Sequence, residues 1–181
     1  AHNHDSWLAE GHLGALYLDE ARANHSRAQL TSAMEHLRRV VDLRPQETVG
    51  YVNLGNALLV AGRPDDALKM YRKGVDALVG SPGDRVLGWI NIGNLLEREG
   101  KVKDALAAYV SGTVANPRSE LSYDHVGRLK LKMGDVAGAK AALEKSAELD
   151  PTFAEPRVVL AGIALRAGDR AGALAWLKAA A

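Results

Sequence analysis

Apolar and small positions recur along the chain in a fixed order. Around Gly93 the order is Trp89-x-x-Ile92-Gly93-x-x-Leu96, then Gly100, Ala105, Tyr109 and Pro117. Tyr51, Leu54, Gly55, Leu58, Gly62, Ala67 and Tyr71 repeat it upstream. Tyr123, Val126, Gly127, Gly134, Ala139, Leu143 and Pro151 repeat it downstream, and Leu160, Ala161, Ala164, Gly168, Ala173 and Leu177 close the series. A first copy is split, with Leu13, Gly14 and Tyr17 in front and Ala33, Leu37 and Pro45 behind. Spacings of three and four between apolar residues are helical. Gly62, Gly100, Gly134 and Gly168 are placed to end helices in a left-handed cap. Pro45, Pro117 and Pro151 mark breaks after helices. Thr152 with Glu155 reads as a capping box. Asp84 and Ser119 read as N-caps of two further helices.

Repeats aligned in this way start at Trp7, Thr48, Val86, Glu120 and Ala154, with spacings of 41, 38, 34 and 34. The four extra residues of the second fit the turn-rich stretch Gly80-Ser81-Pro82-Gly83. The seven extra residues of the first lie between Leu18 and Ser32 and correspond to about two helical turns. Both helices there are expected to be longer. All five tyrosines fall on aromatic or bulky positions of the repeat, which supports the register.

This pattern resembles the tetratricopeptide repeat (TPR) family, whose period is about 34 residues. The resemblance covers residues 7–181. It implies an all-α fold, a right-handed α-solenoid of about five TPR helical hairpins, each built from an A and a B helix. Small residues are expected where the helices cross: Gly55, Ala67 and Gly74 in the second repeat, and their counterparts in the next three. Residues 1–6 read as a terminal linker or expression remnant, and 7–181 as a single TPR array.

In this family the groove faces partners through the second, fifth, sixth, ninth, twelfth and thirteenth positions of each repeat. The sixth-position row is His12, Asn53, Asn91, His125 and Val159, and the ninth is Ala15, Asn56, Asn94, Arg128 and Gly162. Asn53 and Asn56 share a helix face, as do Asn91 and Asn94 one repeat on. A carboxamide both donates and accepts, so a row of them can pair with the peptide groups of an extended chain. This is similar to the asparagine ladder in the TPR arm of O-linked N-acetylglucosamine transferase, and the similarity covers repeats two and three. It implies partner-binding roles for Asn53, Asn56, Asn91 and Asn94, with Val49, Val52, Leu87 and Ile90 as an apolar floor. Arg98, His125, Arg128 and Lys132 continue the same face. The three basic residues form a strip, extended by Arg166 and diluted by Glu97 and Asp124, that would bias partner choice. The other well-known TPR mode, a carboxylate clamp, does not fit. Val52, Leu121 and His125 stand where its cations should be, and without them nothing neutralises a carboxylate.

Composition narrows the classes. Hydrophobic residues make up 47% and charged residues 25%, as in a folded domain. Lys plus Arg is 23 against 22 Asp plus Glu, so there is no basic surplus for nucleic acid. The absence of cysteine excludes disulfides and thiolate sites. No apolar run approaches a membrane span, so direct membrane insertion is not expected. His2, His4 and Asp5 have a metal-like spacing but lie at the terminus. Asp124 and His125 are adjacent, and their side chains diverge by about 100° on a helix, a poor catalytic pair. No catalytic residue, cofactor or metal site is assigned.

The expected function is a non-catalytic protein–protein interaction module, a scaffold holding an extended peptide segment in its concave groove. The alternatives are a structural spacer, a segment that self-associates through its uncapped ends, or a recruiting arm of a larger protein of membrane or glycosyltransferase type. The chain begins with Ala1 and stops in its fifth B helix, which reads as a segment of something longer. Its compartment stays open between cytoplasm and periplasm.

Overall fold

The computed structural model describes residues 6–181. His2, His4 and Asp5 lie outside them, whereas Ser6 already opens the first helix. Ten helices follow in chain order: α1 (Ser6–Asn24), α2 (Arg27–Leu43), α3 (Thr48–Val60), α4 (Pro64–Val75), α5 (Pro82–Arg98), α6 (Val102–Ala115), α7 (Glu120–Lys132), α8 (Val136–Leu149), α9 (Glu155–Arg166) and α10 (Arg170–Ala180). Among the described residues no strand forms beyond an isolated bridge between Glu47 and Val79. The class is all-α. The chain divides into two compact units, one up to Leu95 and one from Leu96 to Ala181, with the division inside α5.

In the first unit α1 pairs with α2 and α3 with α4, and α2 also packs on α3. The pairing depends on glycine. A Cβ on Gly55 would lie 2.5 Å from Cε1 of Tyr71, and one on Gly14 would lie 2.7 Å from the Leu37 side chain. The absent side chain lets the B-helix residue press onto the A-helix backbone. In the second unit, where α7 pairs with α8 and α9 with α10, Gly127 accommodates Leu143 in the same way. Tyr71, Leu37 and Leu143 are fully buried as a result.

The turns follow local chemistry. Gly62, Gly100, Gly134 and Gly168 all have φ between 72° and 84°. In each, the following N–H reaches back to close the helix end, as Arg63 N does to Leu58 O at 2.9 Å. The first hairpin differs. Its helices are 19 and 17 residues long, against 13 and 12 in the second. His25, with φ of 50°, holds the place that glycine holds elsewhere, and Ser26 N bonds to Ala21 O.

Two expected caps are corrected. Asp84 is not an N-cap, because α5 begins two residues earlier. Ser81 caps it, its hydroxyl accepting from Asp84 N at 3.1 Å while the Asp84 carboxylate accepts from Ser81 N at 2.9 Å. That reciprocal pair is a capping box with Asp in the returning position. Thr152 does not cap α9. Its N–H and hydroxyl both donate to Asp150, each at 2.7 Å, and Ala154 stands at the cap with no side-chain bond. A nearer acceptor captured the threonine. Ser119 caps α7 as expected, accepting from Ser122 N.

The four extra residues before α5 are also tied down. Thr48 N donates to Val79 O at 2.9 Å and Val79 N donates to Gln46 O at 2.8 Å, which holds the α4–α5 connection against the α2–α3 connection.

Candidate functional site

The asparagines lie on α3 and α5 within the first unit. Asn56 is anchored from beneath. The buried Tyr71 hydroxyl on α4 passes beside Gly55 and donates to Asn56 Oδ1 at 2.7 Å. Burial pushes the Tyr71 hydroxyl well above the ordinary tyrosine range, so it stays protonated and a donor. Asn91 Nδ2 on α5 donates to the same oxygen at 3.2 Å. The Asn56 oxygen therefore takes two bonds, and this fixes its amide so that the NH2 group faces away from Tyr71. Asn53 and Asn91 are half-buried, and Asn94 is exposed.

The apolar floor is only half as expected. Val49 is half-buried and Leu87 is exposed, so both can meet a partner. Val52 and Ile90 are 5% and 7% exposed and belong to the interior instead. The Val52 side chain lies 3.5 Å from where a Cβ would sit on Gly74 of α4 and on Gly88 of α5. Counting positions along a helix finds a face, but the glycines of two neighbouring helices let those helices close over it.

The basic residues belong to the second unit. Arg128 Nε donates to Asp124 Oδ2 at 2.6 Å. Lys132 donates to Glu97 Oε1, and the Tyr109 hydroxyl donates to Glu97 Oε2 at 3.1 Å. Burial works to raise the Glu97 carboxyl, but the bonds from Lys132 and Tyr109 outweigh it and hold the group below the usual range. Asp124 is buried, which raises its carboxyl against the pull of Arg128. His125 stacks on Tyr109 with centroids 4.7 Å apart, and its burial lowers its pKa, favouring the neutral ring. Two of the three cations expected to bias partner choice are thus engaged by acids of the same unit. Arg98 is exposed.

Sequence reasoning missed the tyrosine hydroxyls. Tyr71 and Tyr109 read as packing residues, which they are, yet each also delivers a donor to a polar side chain on an A helix. The signal was present in the choice of Tyr rather than Phe. Among the described residues no cluster of His, Asp or Glu could hold a metal ion, and no helix is long and apolar enough to cross a membrane.

Antiparallel hairpins with small residues at each crossing define a helical-repeat interaction module. Family models described as tetratricopeptide repeat match residues 52–119 and 130–181, together about two thirds of the chain. The chain belongs to the tetratricopeptide repeat family. No curated protein sequence matches it. Among solved structures it is similar to MamA, with 20% identity, a TM-score of 0.68 and coverage of 90% of this chain and 91% of that one. It is also similar to PilF of Pseudomonas aeruginosa, with 17% identity, a TM-score of 0.71 and coverage of 94% and 76%. A third is YrrB, described as a TPR protein with an unusual peptide-binding site, with 20% identity, a TM-score of 0.61 and coverage of 91% and 82%. At these identities the likeness shows the fold, an all-α series of helical hairpins. TPR proteins bind protein or peptide partners, and this chain is an interaction module of that kind.

Proposed function

We propose that the α3–α5 face of the first unit binds an extended peptide segment by its backbone. The observation that carries this is the bond from Asn91 Nδ2 to Asn56 Oδ1. It leaves the Asn56 NH2 as donor and the Asn91 oxygen as acceptor, side by side on adjacent helices. A peptide group offers the complementary pair, whatever side chain it carries. Asn53, one turn before Asn56, adds a further donor and acceptor, and Val49 and Leu87 supply apolar contact at the edges. The YrrB description as a peptide-binding TPR protein is consistent with this use of the fold. The grip is short and polar, so the dissociation constant is expected to be on the order of micromolar. The test is a pull-down comparing the chain with its Asn53→Ala/Asn91→Ala variant in lysate of the source cell. A protein retained by the first and lost by the second supports the reading. Equal retention by both contradicts it.

A second reading, self-association, is favoured by one comparison between repeats. Leu54, Ile92, Val126 and Leu160 hold the seventh repeat position and are buried, whereas Leu13 at that position is 40% exposed. Leu16 is 55% exposed where Ala57, Leu95 and Leu129 are buried, and Leu177 is 44% exposed where Tyr71, Tyr109 and Leu143 are fully buried. These apolar faces on α1 and α10 suit another helical surface, such as a second copy. Sedimentation velocity over a concentration series tests this, and a concentration-independent monomer would count against it.

A further inference from the structure

The first hairpin overhangs the second. Its extra residues lengthen α1 and α2 by about one turn each. The α1–α2 turn therefore stands beyond the α3–α4 turn at Gly62, and a cleft of about 770 Å³ opens between them. Leu30, Met34 and Val60 supply its apolar lining, while Arg22, Arg27 and Arg63 supply positive charge.

Three features characterise this cleft. The first is charge. Arg22 is shared with Asp19 at 3.5 Å and Arg63 with Asp66 at 2.6 Å, but both arginines remain about half exposed. Arg27 has no carboxylate partner among the described residues and stands in the first turn of α2, where the helix dipole adds to its charge. The second is backbone strain. His25 lines the cleft in a left-handed conformation that the other four hairpins give to glycine. That conformation is costly for a residue with a Cβ, and such costs concentrate where a side chain has a task. The third is amphipathicity, with apolar residues and cations in one lining.

We propose that this cleft binds an acidic peptide segment, with an apolar side chain against Leu30, Met34 and Val60 and flanking carboxylates on Arg22, Arg27 and Arg63. Arg presents a planar fork suited to carboxylate. Two acids already offset two of the arginines, so the local surplus is too small for a nucleic-acid backbone, which needs many unpaired cations. The site does not depend on the asparagine face.

The test is an amide NMR titration of the whole chain with the capped peptide Gly-Asp-Leu-Asp-Gly. Shifts are expected at the amides of residues 25–31 and 61–63. Arg27→Ala should weaken binding several-fold, and so should exchanging the peptide's Asp for Asn or its Leu for Ser. His25→Gly should weaken binding while raising the melting temperature by about 2–4 °C, because it relieves the strain. A His25 with a purely structural role would not couple those two effects. Absence of shifts at the cleft, equal shifts with the Asn peptide, or equal shifts with inorganic phosphate would overturn the proposal. Shifts confined to Asn53, Asn56 and Asn91 would also overturn it, while leaving the asparagine reading intact.

Discussion

Asn91 on α5 donates to the side-chain oxygen of Asn56 on α3 across 3.2 Å, and the Tyr71 hydroxyl holds the same oxygen from below at 2.7 Å. One carboxamide thereby joins three helices through its oxygen, while its NH2 makes no hydrogen bond among the described residues. The asparagines are thus unequal. Asn56 is structural as well as available, whereas Asn53 has no side-chain bond among the described residues.

That inequality gives the first expectation. Asn56→Ala removes the acceptor of the Tyr71 hydroxyl and should cost about 1–3 kcal/mol, the penalty of an unsatisfied buried donor. Asn53→Ala should stay within about 0.5 kcal/mol, as surface changes do. Urea unfolding of the two variants checks this. Equal losses would mean that Asn53 is structural too.

The crossing glycines give the second. Gly55→Ala places a methyl 2.5 Å from the Tyr71 ring and should destabilise by about 1–3 kcal/mol through overpacking. Gly62→Ala meets nothing within 4 Å but must adopt φ near 72°, so its cost, about 1–2 kcal/mol, is conformational. Adding Tyr71→Leu should recover part of the first loss and none of the second, as thermal melts of the double variants would show.

The corrected caps give the third. Ser119→Ala should cost about 1 kcal/mol, because Ser119 accepts from Ser122 N. Thr152→Ala should change stability by less than about 0.5 kcal/mol, because Thr152 bonds to Asp150 rather than to α9. A loss at Thr152 comparable to that at Ser119 would restore it as a cap.

Titration of His125 gives the fourth. Its folded pKa lies below the unfolded value of 6.5, chiefly through burial. Between those two values the unfolded chain binds more protons than the folded one, so stability rises with pH across that window and falls as pH drops through it. Asp124 is shifted the other way, upward, so its contribution is largest in acid and is lost as pH rises through its folded value. His125→Phe keeps an aromatic ring against Tyr109 and should flatten the slope that lies below pH 6.5. Denaturation curves at several pH values would show it, and an unchanged slope would place the titration elsewhere.

Much of the fold was legible because its signals are local. Gly62, Gly100, Gly134 and Gly168 end helices in a conformation that depends on their own backbone, and their spacing exposed the period. His25 was not legible as the fifth member, because the lengthened hairpin displaced it from register and its side chain masked its role. Thr152 failed because Asp150, two residues away, competed for its hydroxyl. The candidate site was legible as a face but not as an environment. Position counting put Val52 and Ile90 beside the asparagines, while both are buried, Val52 against glycines of other helices. The neutralisation of Arg128 by Asp124 follows from their i,i+4 spacing on α7, whereas that of Lys132 by Glu97 on α5 arises from side-chain geometry that the order of charges does not specify.

The central claim is that α3 and α5 hold a partner by its backbone. The most direct test is calorimetric titration of the captured partner's segment as a synthetic peptide, scanned twice. Replacing its side chains one at a time with alanine should change affinity only a few-fold, whereas N-methylating the facing peptide groups should weaken binding about tenfold or more for each bond removed. The reverse pattern, sensitivity to side chains and indifference to backbone methylation, would contradict the claim and make the asparagines part of the packing alone.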